Sequence, residues 1–182
     1  SGSCPPAEGP EQALVPAGKY LNFDIYNSGF TVVPAGGPSA VSAIAVTAAP
    51  DSHLYPERNP LSFVLEGSTD GAEFHTIASG PLHFDGPGAR HVTPFANERE
   101  FSTYKVVFPS VAYPAVADAV QVGQVELLGA LAGGPALQSL LSPEDWIVAS
   151  SANSPADEGV TNVLRPEGKY LNFDEANSPA DE

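Results

Sequence analysis

The run Leu61-Ser62-Phe63-Val64-Leu65-Glu66-Gly67-Ser68-Thr69-Asp70-Gly71 decides how the chain is read. Leu61, Phe63 and Leu65 fall on one side of an extended backbone and Ser62 and Glu66 on the other, because side chains alternate across a strand with a period of two. Ser68-Thr69-Asp70-Gly71 is a tight turn in which glycine can take a positive φ, and Phe74-His75-Thr76-Ile77-Ala78 returns from it. A half-exposed strand, a turn and a second strand make a hairpin.

The same punctuation continues in both directions. Upstream, Tyr20-Leu21 opens a short strand, Phe30 to Val33 follows the turn residues Asn27-Ser28-Gly29, and Val41 to Thr47 alternates small with branched residues. Downstream come Leu82 to Phe84, His91 to Phe95, Ser102 to Pro109 and Val120 to Leu128. In the third of these, Tyr104, Val106 and Phe108 alternate with Thr103, Lys105 and Val107. The stretch from Ala48 to Pro60 holds Pro50, Pro56 and Pro60, which excludes a regular helix or a central strand. Roughly eight short strands predict an all-β, antiparallel β-sandwich or jelly roll.

Composition agrees with this reading. The chain has 182 residues, 42% of them hydrophobic and only 16% charged, with 19 prolines and 17 glycines. That balance suits many strands joined by turns. The formal charge is −15, from 22 acidic against 7 basic residues, so the surface repels phosphate backbones and nucleic acid is excluded as a partner. No apolar run approaches the roughly 18 residues of a membrane span. No secretory leader is visible, so export would make this a mature fragment. The single cysteine, Cys4, lies in Ser-Gly-Ser-Cys-Pro-Pro, and reads either as an incidental thiol or as an intermolecular disulfide or attachment point.

Gly-Lys-Tyr-Leu-Asn-Phe-Asp occurs twice, at Gly18 to Asp24 and at Gly168 to Asp174, 150 residues apart. Glu8-Gly9 likewise matches Glu158-Gly159, and Pro16 matches Pro166. A domain-sized period predicts one module followed by the opening of its twin. The expected divisions are an extended lead-in over 1–17, a sandwich over 18–129, a linker over 130–145 and a truncated second repeat over 146–182. Ala-Asn-Ser-Pro-Ala-Asp-Glu, at 152–158 and again at 176–182, is a shorter duplication with no physical account.

Lys19 to Asp24, Asn27 to Val32, Pro56 to Pro60 ahead of Ser62 to Gly71, Tyr104 to Pro109 and Val122 to Gly129 together resemble bacterial discoidin-like domains. These are the domains of the coagulation factor five/eight C-terminal type, within the galactose-binding-like β-sandwich superfamily. The resemblance covers about residues 13 to 129. It implies an eight-stranded jelly roll, an extracellular or cell-surface location, and a non-catalytic role in carbohydrate binding or adhesion with a glycan or cell-surface polymer as partner. It also implies stacking in larger surface assemblies. Two departures bear on calcium: Val15-Pro16-Ala17-Gly18 stands where the family often has an Asp-Gly-Asp loop, and Gln124 stands where an acid is common.

Sugar sites combine an aromatic face with a few fixed polar groups. The 51–60 loop supplies His53, Tyr55, Arg58 and Asn59, and Arg90 and His91, with Phe84, supply a neighbouring rim. The competing reading is that Glu57 and Arg58 form an ion pair that fixes the loop while Tyr55 packs. No cofactor is expected, and Asn22, Asp24 and Glu126 are the residues that would hold a calcium ion if the first and last strands are neighbours. Otherwise Asn22 and Asp24 bond backbone in a turn. His53, His75, His83 and His91 lack metal-ligand spacing, and no nucleophile with its base is evident, so no enzyme is expected. An alternative function is a structural subunit of a head-to-tail assembly, with Trp146, Ile147 and Val148 as a strand exchanged between copies.

Overall fold

Phe63 and Leu65, which set the reading of the hairpin, are both fully buried. The computed structural model describes residues 3–129 and, as backbone, residues 138–139 and 146–149. The strands run β1 (Tyr20–Asn22), β2 (Ser28–Val33), β3 (Val41–Thr47), β4 (Ser62–Ser68), β5 (His75–Pro81), β6 (Arg90–Pro94), β7 (Thr103–Phe108), β8 (Val120–Val122), β9 (Gln124–Gly129), β10 (Gln138–Ser139) and β11 (Trp146–Ala149). Two single 3-10 turns, Pro10–Leu14 and Pro56–Arg58, interrupt them. Among the described residues no helix is long and apolar enough to cross a membrane.

Among the described residues every strand pairing is antiparallel. One sheet has the order β11-β2-β7-β4-β5, a second β10-β9-β3-β6, and β1 pairs with β8 apart from both. The period of two then sorts the side chains: Phe30 and Val32, Phe63 and Leu65, and Tyr104, Val106 and Phe108 project inward from the first sheet. They meet Ile44 and Val46 of β3 and Val125 and Leu127 of β9 in one core. Each such side chain contributes about 1.5–3 kcal/mol by leaving water. The chain is an all-β antiparallel β-sandwich.

Several expected elements differ. Val120 to Leu128 is two strands rather than one, broken at Gly123, whose N–H donates to the Thr47 carbonyl at 2.7 Å. A Cβ there would sit 2.7 Å from the Ala48 carbonyl oxygen, so only glycine lets the backbones approach, and the break sends β8 to β1 and β9 to β3. Leu82 to Phe84 is not a strand; Leu82 is buried, Phe84 packs against the core, and β5 ends before them. The lead-in is not simply extended. Pro10 opens a 3-10 turn, where its missing N–H costs nothing, and Ala13 and Leu14 enter the core.

Cys4 is buried in that core as well, and burial, with the neighbouring Glu11 charge, pushes its thiol far above the usual range. A buried, protonated thiol is a poor nucleophile, which removes the crosslinking reading for the folded chain. Glu11 is buried too, with neither carboxylate oxygen hydrogen-bonded, and burial pushes its carboxyl up to about 7.

Beyond Gly129, β10 pairs with β9 and β11 pairs with β2 of the same chain, with Trp146 opposite Val33, Ile147 opposite Val32 and Val148 opposite Thr31. The expected linker and second repeat therefore each lend a strand to the first module. The rest of the expected second copy, including Lys169 to Asp174 and the shorter duplication, lies outside the described residues.

Candidate functional site

The 48–61 loop is built by prolines and short turns and then fastened to 109–119. Ser52 N–H donates to the Ala49 carbonyl at 3.1 Å and Leu54 N–H to the Asp51 carbonyl at 2.9 Å. Pro56 starts the 3-10 turn that carries Arg58. From there Ala112 N–H donates to the Asn59 carbonyl at 2.8 Å, Leu61 N–H to the Ser110 carbonyl at 3.1 Å and Tyr113 N–H to the Glu57 carbonyl at 3.4 Å. A third loop, 23–27, joins them through Asn27 N–H and the Pro109 carbonyl at 3.2 Å.

Arg58 is the centre of this end. Its Nε and Nη2 donate to Asp118 Oδ1 and Oδ2 at 2.7 and 3.0 Å, a two-pronged pairing, and its guanidinium lies 4.0 Å from the Tyr55 ring centre. These bonds hold the Asp118 carboxyl below the usual carboxylate range. The Arg58 side chain is 14% exposed and that of Asp118 64%, so the carboxylate faces solvent. Gln121, buried on β8, donates from Nε2 to the Tyr55 carbonyl at 3.2 Å, and Asn59 Oδ1 is buried without a partner. On these three loops Phe23, Tyr26, Leu54, Tyr55, Leu61, Tyr113 and Val116 are exposed. Large apolar side chains gathered on a surface mark an interaction site.

A cavity of about 410 Å³ opens among Ala17, Gly18, Thr47, Ala48, Pro50, Pro87, Gly88, Gly123 and Gln124. Lys19, adjoining it in sequence, is held by Asp51 at 2.7 Å and Glu8 at 3.3 Å.

Of the residues expected to bind ligand, Tyr55, Arg58 and Asn59 come together, and His53 is exposed on the same loop. Arg90 and His91 do not form one rim. Adjacent on β6, they point to opposite faces, and Arg90 Nε pairs with Glu126 at 2.6 Å. Phe84 is turned to the core. The ion partner of Arg58 is Asp118 rather than Glu57. Asp118 and Tyr113 were missed by sequence reasoning, although Tyr113-Pro114 repeats the Tyr55-Pro56 pattern of the first loop.

At the expected calcium position, Asn22 Nδ2 donates to the Tyr20 hydroxyl at 3.0 Å and Asn22 Oδ1 accepts from Asp24 N–H at 3.0 Å, the turn bonding set against a metal. The neighbour of β1 is β8, whereas Glu126 stands on β9 with Arg90. Among the described residues no group of three or more His, Cys, Asp and Glu side chains is placed to hold a metal.

No protein-family model matches the sequence, and no curated protein matches it. Solved structures do. A factor five/eight type C domain from Bacteroides fragilis superposes with a TM-score of 0.54 at 11% identity, covering 70% of this chain and 89% of that one. A family 32 carbohydrate-binding module of Clostridium perfringens NanJ, solved in complex with galactose, gives 0.52 at 11% identity over 69% and 88%. A module of the same type from a family 31 glycoside hydrolase of Clostridium perfringens gives 0.53 at 10% identity over 69% and 87%. At such identities the likeness is one of fold: the chain has the β-sandwich fold of these discoidin-like domains.

Proposed function

We propose that this chain is a non-catalytic carbohydrate-binding module acting outside the cell, with the 48–61 and 109–119 loops as its glycan surface. The observation that carries it is the Arg58–Asp118 pair stacked on the exposed Tyr55, with the exposed Tyr113 on the loop that bonds to Glu57. Tyrosine rings offer apolar faces to the C–H side of a pyranose, while a fixed carboxylate and guanidinium offer an acceptor and donors to its hydroxyls. Support comes from a neighbour of the same fold that was solved with galactose. Calorimetry against galactosides and a wider glycan panel tests the reading. Tyr113→Ala should weaken binding by about fivefold or more, the loss of roughly 1 kcal/mol of ring contact. Binding to no glycan, or binding indifferent to both Tyr113→Ala and Tyr55→Ala, would refute it.

A second reading is a subunit of a head-to-tail extracellular assembly. What favours it is that β2 accepts along Phe30–Val33 the edge strand β11, which comes from the chain beyond Gly129. A strand added at a sheet edge can come from another copy as well as from the same chain. Light scattering decides: assembly in the full chain that disappears in a chain ending at Gly129 supports exchange, and a full chain that runs as a monomer removes it.

A further inference from the structure

We infer that the loop-end site selects uncharged glycans over acidic ones, and that Asp118 sets this selectivity by covering the charge of Arg58. The inference rests on the glycan-binding reading and adds the class of glycan.

Arginine in a polysaccharide site is the usual receptor for a uronate, sialate or sulfate, because its planar fork matches such anions. Here one edge of that fork is already occupied. Nε and Nη2 both donate to Asp118, and the Arg58 side chain, 14% exposed, is far less open to solvent than that of the aspartate, 64% exposed. An incoming ligand meets the carboxylate first. That group accepts hydrogen bonds from sugar hydroxyls and repels a second carboxylate.

The surroundings deepen the effect. Across 23–27, 48–61 and 109–119 there are four carboxylates, Asp24, Asp51, Glu57 and Asp118, against the single guanidinium of Arg58. Lys19, the nearest cation in sequence to the first of these loops, is held by Glu8 and Asp51. Asp24 and Glu57 have no ion-pair partner among the described residues. These loops therefore hold no unpaired lysine or arginine for an acidic sugar, and the repulsion by Asp118 acts at contact range, where salt screens it least.

The test is a glycan array probed with the full chain, carrying neutral glycans beside their uronate, sialylated and sulfated counterparts, followed by calorimetry on the best matched pair. The expected result is that neutral glycans bind and each acidic counterpart binds at least about tenfold more weakly. Asp118→Asn should shift the acidic-to-neutral affinity ratio upward by about tenfold or more, because it removes the repelling charge and leaves Arg58 uncompensated. Asp118→Glu keeps the charge and should keep the exclusion, which controls for loop disruption, as does a thermal melt of each variant. Wild-type preference for acidic glycans overturns the inference and leaves glycan binding standing. Binding to no glycan overturns both. An unchanged ratio in a folded Asp118→Asn protein removes Asp118 from the role.

Discussion

Glu11 and Asp118 are carboxylates placed in opposite circumstances. Asp118 lies in the open at the loop end, gripped by two donors of Arg58, and its proton is lost more readily than usual. Glu11 lies in the lead-in turn with both oxygens buried and neither bonded, and its carboxyl is pushed up to about 7. A charge is kept where a partner and water support it and given up where burial strips both away. The first arrangement makes a surface that a ligand can read. The second makes a seam whose strength depends on pH.

The sign follows for each. Glu11 has a folded value raised above its ordinary 4.5, so the penalty is absent below 4.5, grows as pH rises toward 7, and is constant above that. Glu11→Gln should thus stabilise the chain by about 3 kcal/mol at pH 8 and by little at pH 4, measured by urea unfolding across the range. A parallel offset at both pH values would break the contrast. Asp118 runs the other way, its depressed carboxyl contributing above the ordinary carboxylate value and fading on acidification.

The next largest effect tests the supported charge. Arg58→Ala should cost about 1 kcal/mol of stability, because the lost charge-assisted bonds are discounted by the exposure of Asp118, and it should weaken glycan binding while sharpening the exclusion of acids. The smallest concerns Arg90 and Glu126, where the exposure is reversed: the arginine is 42% exposed and the glutamate 19%. Arg90→Ala should cost about 0.5 kcal/mol or less by thermal melt and leave glycan affinity unchanged. A large binding defect there would move the site toward β6.

The core was readable because it follows a local rule. Phe63 and Leu65, or Tyr104, Val106 and Phe108, declare one face by spacing alone. The turn at Asp70 was equally local: Oδ1 accepts from Ala72 and Glu73 N–H at 2.9 and 3.0 Å, bonds made within four residues. Gly123 was not readable, since what forces glycine there is the carbonyl of Ala48, distant in sequence. The site divides in the same way. Tyr55, Arg58 and Asn59 share one loop and were visible together, but Asp118 stands 60 residues from its arginine and nothing in the local pattern names it. Arg90 and His91 misled for a related reason, because adjacency in sequence becomes opposition on a strand.

The sequence also repeats, with changes, the segment that carries this pH-sensitive group. At the 150-residue period that relates Gly18 to Gly168, Glu11 is answered by Thr161 and Cys4 by Ser154. These two buried groups of the lead-in are thus matched in sequence by hydroxyls, which carry no charge at any ordinary pH, while the buried Tyr20 is matched by Tyr170. Writing those two hydroxyl residues back into positions 4 and 11 would turn a titrating entrance into an inert one, using only substitutions the molecule already contains.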